Sequence, residues 1–166
     1  MLSGSFIQGL WMFLHIVGFG AVFAGMLAGP MLERQFQGST DWNSRAKIGM
    51  VLMRLSLVGR LAMLLLLVSG IGNMVNYGFT MANAFSGDAW WLGVKIVLWA
   101  VMLANGQIFA MKMQHVRGGI LQKVLAGNVP PDAEAALKST YGGANMYFRM
   151  QGFFLLVIVV MAIFRP

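Results

Sequence analysis

His15 is the first residue of this 166-residue chain that combines reactive chemistry with an apolar setting. It stands in the run Leu10-Trp11-Met12-Phe13-Leu14-His15-Ile16-Val17. A neutral imidazole there can ligate haem iron, hydrogen-bond a neighbouring helix or relay a proton. Lys95 is the second, five residues into the apolar stretch that opens at Trp90-Trp91. Such a lysine either snorkels to the interface or faces inward, where it can pair with a carboxylate or assist a ligand. Arg54 and Arg60 precede another apolar run. Solvation, lipid headgroups and the acidic groups of a cofactor are all open to them. His115, with Met111 and Met113, reads either as a soft-metal group or as a surface histidine past a helix end. The chain holds no phosphate loop, nucleophile elbow, catalytic carboxylate pair or zinc signature, so hydrolase and kinase chemistry have nothing to act through.

The elements that must position these residues are membrane helices. The chain is 58% hydrophobic and 10% charged, where soluble domains carry roughly 25% charge. Hydrocarbon about 30 Å thick needs roughly 20 apolar residues per helical span. Four runs satisfy this, approximately Phe6–Pro30, Leu61–Phe79, Trp90–Met111 and Met150–Phe164. With a helical lead-in from Ile48 to Arg60, the spans are expected over approximately 6–30, 48–79, 90–111 and 147–164. The predicted fold is all-α: one domain over residues 1–166, an integral membrane four-helix bundle with loops between the spans and almost no soluble part. No Lys or Arg precedes Arg34, so the first run reads as a retained helix rather than a signal peptide. With no cysteine, disulfides and thiolate metal sites are excluded.

The net charge of +7 is concentrated rather than spread. Arg34, Arg45, Lys47, Arg54 and Arg60 lie between the first two apolar cores; Lys112, Arg117, Lys123, Lys138 and Arg149 lie between the last two. Lys95 and Arg165 are the remainder. The positive-inside rule then places both basic loops in the cytoplasm and both termini outside, in a bacterial-type inner membrane. A nucleic-acid partner would need a soluble basic face with stacking aromatics, which the chain lacks. On this topology His15 lies roughly 13–14 Å deep and Lys95 roughly 7–8 Å from the outer boundary, so the two can share a site. His115 lies about 37 Å down its helix, too far to be a second ligand to an iron on His15.

The first connection, Met31 to about Lys47, reads as a short polar loop. The second, Thr80–Ala89, carries Asn83, Ser86, Gly87 and Asp88 without a basic residue. In the third, Lys112 to about Tyr147, Gly127-Asn128-Val129-Pro130-Pro131-Asp132 reads as a helix stop and restart. A short interfacial helix is expected from there through Lys138, ending near Gly142-Gly143. Gly18, Ala21, Gly25, Ala28 and Gly29 form a small-residue ridge on the first span, with a weaker one at Ser69, Gly70 and Gly72. Such ridges let helices approach closely or leave room for a flat cofactor. Trp11, Tyr77, Trp90 and Trp91 suit an outer interface belt. Asn73, Asn76, Asn105 and Gln107 are expected to hydrogen-bond between helices, and the 15 methionines to fill the core.

Leu10-Trp11…Leu14-His15-Ile16, followed by Phe23-Ala24-Gly25-Met26-Leu27 and Pro30, resembles the first helix of the HemJ-type protoporphyrinogen oxidases. Trp91…Lys95 with its aliphatic run resembles that family's third helix, and the Arg165-Pro166 ending is similar too. Copper-resistance D-like membrane proteins share a comparable plan. The resemblance implies haem b, with His15 as an axial metal ligand and Lys95 as a cofactor-binding and catalytic cation; Arg54 is added as a cofactor-binding candidate from its charge and place alone. The implied chemistry is oxidation of a porphyrinogen, with electrons passing through haem to a membrane acceptor. Met31 stands where the family has a basic residue, Glu33-Arg34-Gln35-Phe36 replaces its aromatic–histidine pair, and Arg149-Met150-Gln151-Gly152 replaces its polar proline motif. Two other readings stay open: a non-enzymatic accessory subunit of a respiratory or photosynthetic membrane complex, packed against other subunits or a second copy, and a copper-handling membrane protein.

Overall fold

The structure, a computed structural model, describes residues 4–86 and 89–164. Gly87, Asp88 and the Arg165-Pro166 ending lie outside the described residues. What is described is all-helical: α1 (Gly4–Gly38), α2 (Trp42–Asn76), the short α3 (Met81–Phe85), α4 (Trp90–Leu125) and α5 (Ala133–Ile163). All but α3 are long and apolar enough to cross a membrane. In none of their apolar windows are more than 17% of residues buried inside the protein. Phe13, Ile16, Val68, Ile108 and Leu156 all face outward. Water does not tolerate so continuous an apolar surface, whereas lipid does.

α1 packs on α2 and α5, and α4 packs on α2 and α5, so the four long helices close a ring. The first span's ridge works residue by residue. Gly18 meets Leu66 and the Ala62 carbonyl of α2, and Gly29 lies under the Phe148 ring of α5, where a Cβ would come within 2.4 Å. A first core joins Val22, Ala62, Leu66, Met102 and Leu155 within the apolar segments.

The helices outrun the apolar runs. At 1.5 Å per residue the 35 residues of α1 or α2 span about 52 Å, against hydrocarbon of about 30 Å. The expected loop from Met31 to Lys47 is therefore corrected: α1 continues through Pro30 to Gly38, and α2 begins at Trp42. Pro30 removes only the bond to the Met26 carbonyl, a loss that packed helices tolerate. The expected long third loop shrinks to residues 126–132, and the short interfacial helix is the first part of α5, which runs unbroken through Gly142-Gly143. The reason is a second core, which buries Phe36, Ala46, Leu121, Val124 and Leu137. These come one or more from each long helix, so both basic segments meet at one end and enclose apolar side chains of their own.

The ends obey local rules. Asp41 caps α2 by accepting from the Ser44 amide at 2.7 Å, and the Ser44 hydroxyl and amide together hold its carboxyl below the usual range. Gly78 (φ 74°) and Gly127 (φ 80°) end α2 and α4 in the left-handed conformation. In each case the next amide bonds back five residues, Phe79 to Met74 at 3.0 Å and Asn128 to Lys123 at 2.9 Å. The predicted stop at Gly127 is thus found. In the connection of the other end, Thr80 caps α3, and Gly93 of α4 receives the Ala84 carbonyl.

Candidate functional site

Two polar clusters interrupt the apolar interior, one at each end of the first core. The first is built on His15. At this end α1 and α2 come close because α2 is bare: Gly70 faces the His15 ring, and Gly72 faces the Trp11 indole. His15 Nδ1 lies 3.1 Å from Ser69 Oγ. Ser69 is fully buried and donates its proton to the Leu65 carbonyl at 2.6 Å, a back-bond common to serine in helices. With the Ser69 proton on the Leu65 carbonyl, the hydroxyl is an acceptor for the His15 tautomer protonated on Nδ1, and that tautomer leaves the Nε2 lone pair free. A ring so oriented through its other nitrogen is the usual state of a histidine metal ligand.

Lys95 lies within range of His15 for direct charge interaction and holds its ammonium 4.6 Å from the centre of the Trp91 ring. Trp91 in turn meets Phe79 edge-on, with ring centres 6.3 Å apart. The structure thus brings His15 and Lys95 to one end. Arg54 is not among this group; it is exposed on α2. His115 is exposed on the α4 extension, at the basic end with Leu121. No three His, Asp or Glu side chains come together among the described residues. One imidazole, His15, stands at this end, and the chain's other histidine lies at the opposite end.

The second cluster surrounds a cavity of about 140 Å³ between the first and second cores. Its apolar wall includes Met26, Met53, Met63, Met102 and Met113, together with Phe109, whose ring stacks on Tyr147 at 4.2 Å. Gly25, from the middle of the first-span ridge, borders it. Neither His15 nor Lys95 lines it. Its ionisable lining is Glu33, Arg60 and Arg117. Glu33 and Arg117 form a bidentate pair, both bonds 2.8 Å, in which the two side chains are 3% and 8% exposed. Gln37 also donates to Glu33 at 2.8 Å, and Arg117 Nε donates to Thr140 at 2.8 Å. The guanidinium lies 4.6 Å from the Phe36 ring centre. Arg45, likewise buried, pairs with Glu134 of α5 and donates to the Ser39 carbonyl, fastening the second core from outside.

Arg60 differs: its Nε is buried with no hydrogen-bond partner. Gln151, 3% exposed, donates to the Met102 carbonyl at 2.8 Å but leaves its own Oε1 buried and unpartnered. Of the amides expected to bond between helices, Asn73 does, to the Trp11 carbonyl at 3.4 Å. Asn76 and Asn105 each bury an unpartnered Nδ2, and Gln107 lines the cavity. The Glu33–Arg117 pair escaped the sequence reading because it joins positions 84 apart in segments taken for loops. The available signal was Glu33 and Phe36 at i, i+3 spacing, which puts an acid and an aromatic on one face if the first helix continues past Pro30.

Comparison with protein-family models, with curated proteins and with solved structures found no match to this chain.

Proposed function

We propose that the four long helices form a bundle in a bacterial-type inner membrane, with the basic end cytoplasmic, and that the chain binds haem b through His15 in the manner of HemJ-type proteins. The observation that carries this is the relay from the Leu65 carbonyl through Ser69 to His15 Nδ1. In the Nδ1-protonated tautomer that this relay favours, Nε2 offers its lone pair, which is what an axial ligand requires. Haem held there supplies a one-electron couple, suited to electron transfer or porphyrinogen oxidation. Ser69 keeps the imidazole from turning. Lys95, beside it, offers positive charge to a carboxylate and a proton to an intermediate, and Trp91 fixes the direction in which it does so. The topology rests on the basic residues of α1–α2 and α4–α5 meeting at one end.

The test is a reduced-minus-oxidised absorption spectrum of the full chain purified in mild detergent. A b-type signal near one haem per chain, lost in His15→Ala and retained in Lys95→Met with lower turnover, is expected. Unchanged haem content in His15→Ala ends the ligand assignment. A colourless protein that stays monodisperse only with other membrane subunits favours the accessory-subunit reading instead.

A further inference from the structure

The charges lining the cavity between the two cores do not balance. Two arginines and one glutamate face it, and Glu33 spends both carboxylate oxygens on Arg117. One positive charge is left, at Arg60, whose Nε is buried without a hydrogen-bond partner. Arg60 is half-buried, and its Nε, which has no surface of its own, needs an acceptor supplied from the cavity. The rest of the cavity is thioether and aromatic, adaptable to a long or flat apolar body. Its height matters too. The lining residues fall within 22–33, 49–63, 102–121 and 147–151, which straddle the basic-side ends of all four apolar runs. Arg60 stands one residue before the run that opens at Leu61. A molecule there has its body beside hydrocarbon and its head at the headgroup level.

We propose that this cavity binds a membrane amphiphile with a monoanionic head, the head on Arg60 and the apolar body along the methionine wall. Gln151 Oε1, the buried acceptor, takes a hydrogen bond from a head that also carries a hydroxyl, as a glycerol headgroup does. The site is separate from His15 and does not rest on haem binding. Two sources share this chemistry, a free long-chain carboxylic acid and an anionic phospholipid.

The experiment uses the full chain in phosphatidylcholine nanodiscs, titrated with the fluorescent fatty acid cis-parinaric acid and with its methyl ester. Saturable binding of one acid per chain is expected, with the ester weaker by about tenfold or more, the worth of one charge-assisted hydrogen bond. Arg60→Gln loses the same factor, and the exposed Arg54→Gln loses nothing. Equal affinity for acid and ester in the wild-type chain overturns the proposal, whether or not Arg60→Gln folds; so does an Arg60→Gln variant that binds the acid like wild type. Displacement by palmitate alone assigns a free carboxylate, and displacement by phosphatidylglycerol assigns a lipid headgroup. Displacement by neither overturns the anionic head.

Discussion

Removing Glu33 while leaving Arg117 should be among the most damaging single changes in this protein. The pair is bidentate at 2.8 Å and its side chains are almost wholly buried. Glu33→Leu leaves a guanidinium enclosed by Phe36, Tyr141 and Thr140 with its charge uncompensated. Breaking a buried pair from one side costs about 3–5 kcal/mol. For a chain of this length, each kcal/mol moves the melting midpoint by roughly 2–4 °C, so a fall of roughly 6–20 °C is expected. The double variant Glu33→Leu/Arg117→Leu removes both charges. Thr140 keeps its own bond to the Leu137 carbonyl, and two leucines extend the second core. Replacing both members by apolar side chains is often close to neutral, so the double variant should regain more than half of the loss. The assay is tryptophan fluorescence on heating in one detergent at one scan rate, with monodispersity checked by gel filtration. A double variant as unstable as the sum of the two singles would refute the reasoning, because the pair would then contribute nothing through charge compensation.

On the proposed haem ligation, Ser69→Ala removes the hydrogen-bond partner of His15 Nδ1 and should lower haem affinity by about 10–100-fold, read by titration of the apoprotein; unchanged affinity would dissociate Ser69 from the ligand. Gly93→Ala sets a Cβ 2.2 Å from the Ala84 carbonyl oxygen, a backbone atom that cannot swing aside. Overpacking of about 1–3 kcal/mol should loosen α3, seen as faster amide exchange over 81–85 with α1 and α5 unchanged. Asp41→Ala removes a carboxylate cap whose pKa is depressed by the Ser44 hydroxyl and then by the Ser44 amide. The cap's contribution is complete above the ordinary carboxylate pKa of about 4 and disappears as pH falls through the lower folded value. The melting deficit of Asp41→Ala should therefore be constant above about pH 5 and close towards acid; a deficit that persists unchanged at the acid limit would mean the charge is irrelevant.

The four apolar cores and the gathering of basic charge were legible in the sequence because both are one-dimensional signals: hydropathy averaged over a span, and charge counted between spans. The helix extensions were not. Residues 31–47 and 112–147 mix charged, small and apolar side chains, a composition shared by loops and by water-facing helices, and what tells them apart is Phe36, Leu121 and Leu137 meeting from three different helices. Those three bury one another, so no single segment shows why it should stay helical. Proline and glycine pairs misled in the same way. Pro30 and Gly142-Gly143 read as ends, and tertiary packing carries helices through them. Within the site, His15 was legible as a polar group deep in an apolar run. Its proton position was not, because it depends on Ser69, 54 residues away, and on where the Ser69 proton goes.

The second core also explains how a cavity can persist beside it. Helices that touch only within lipid are held by packing of small residues, and a gap between them closes when one helix shifts. Here the four helices are held on both sides of the gap. On one side the first core packs Val22 and Leu66 with Leu155. On the other, Arg117 binds Glu33 of α1 and Thr140 of α5, and Arg45 of α2 binds Glu134 of α5. Collapse onto Arg60 would have to break one clamp or the other, and the Glu33–Arg117 pair alone resists with several kcal/mol. Loosening that pair should therefore weaken binding in the cavity without touching Arg60 or the His15 site.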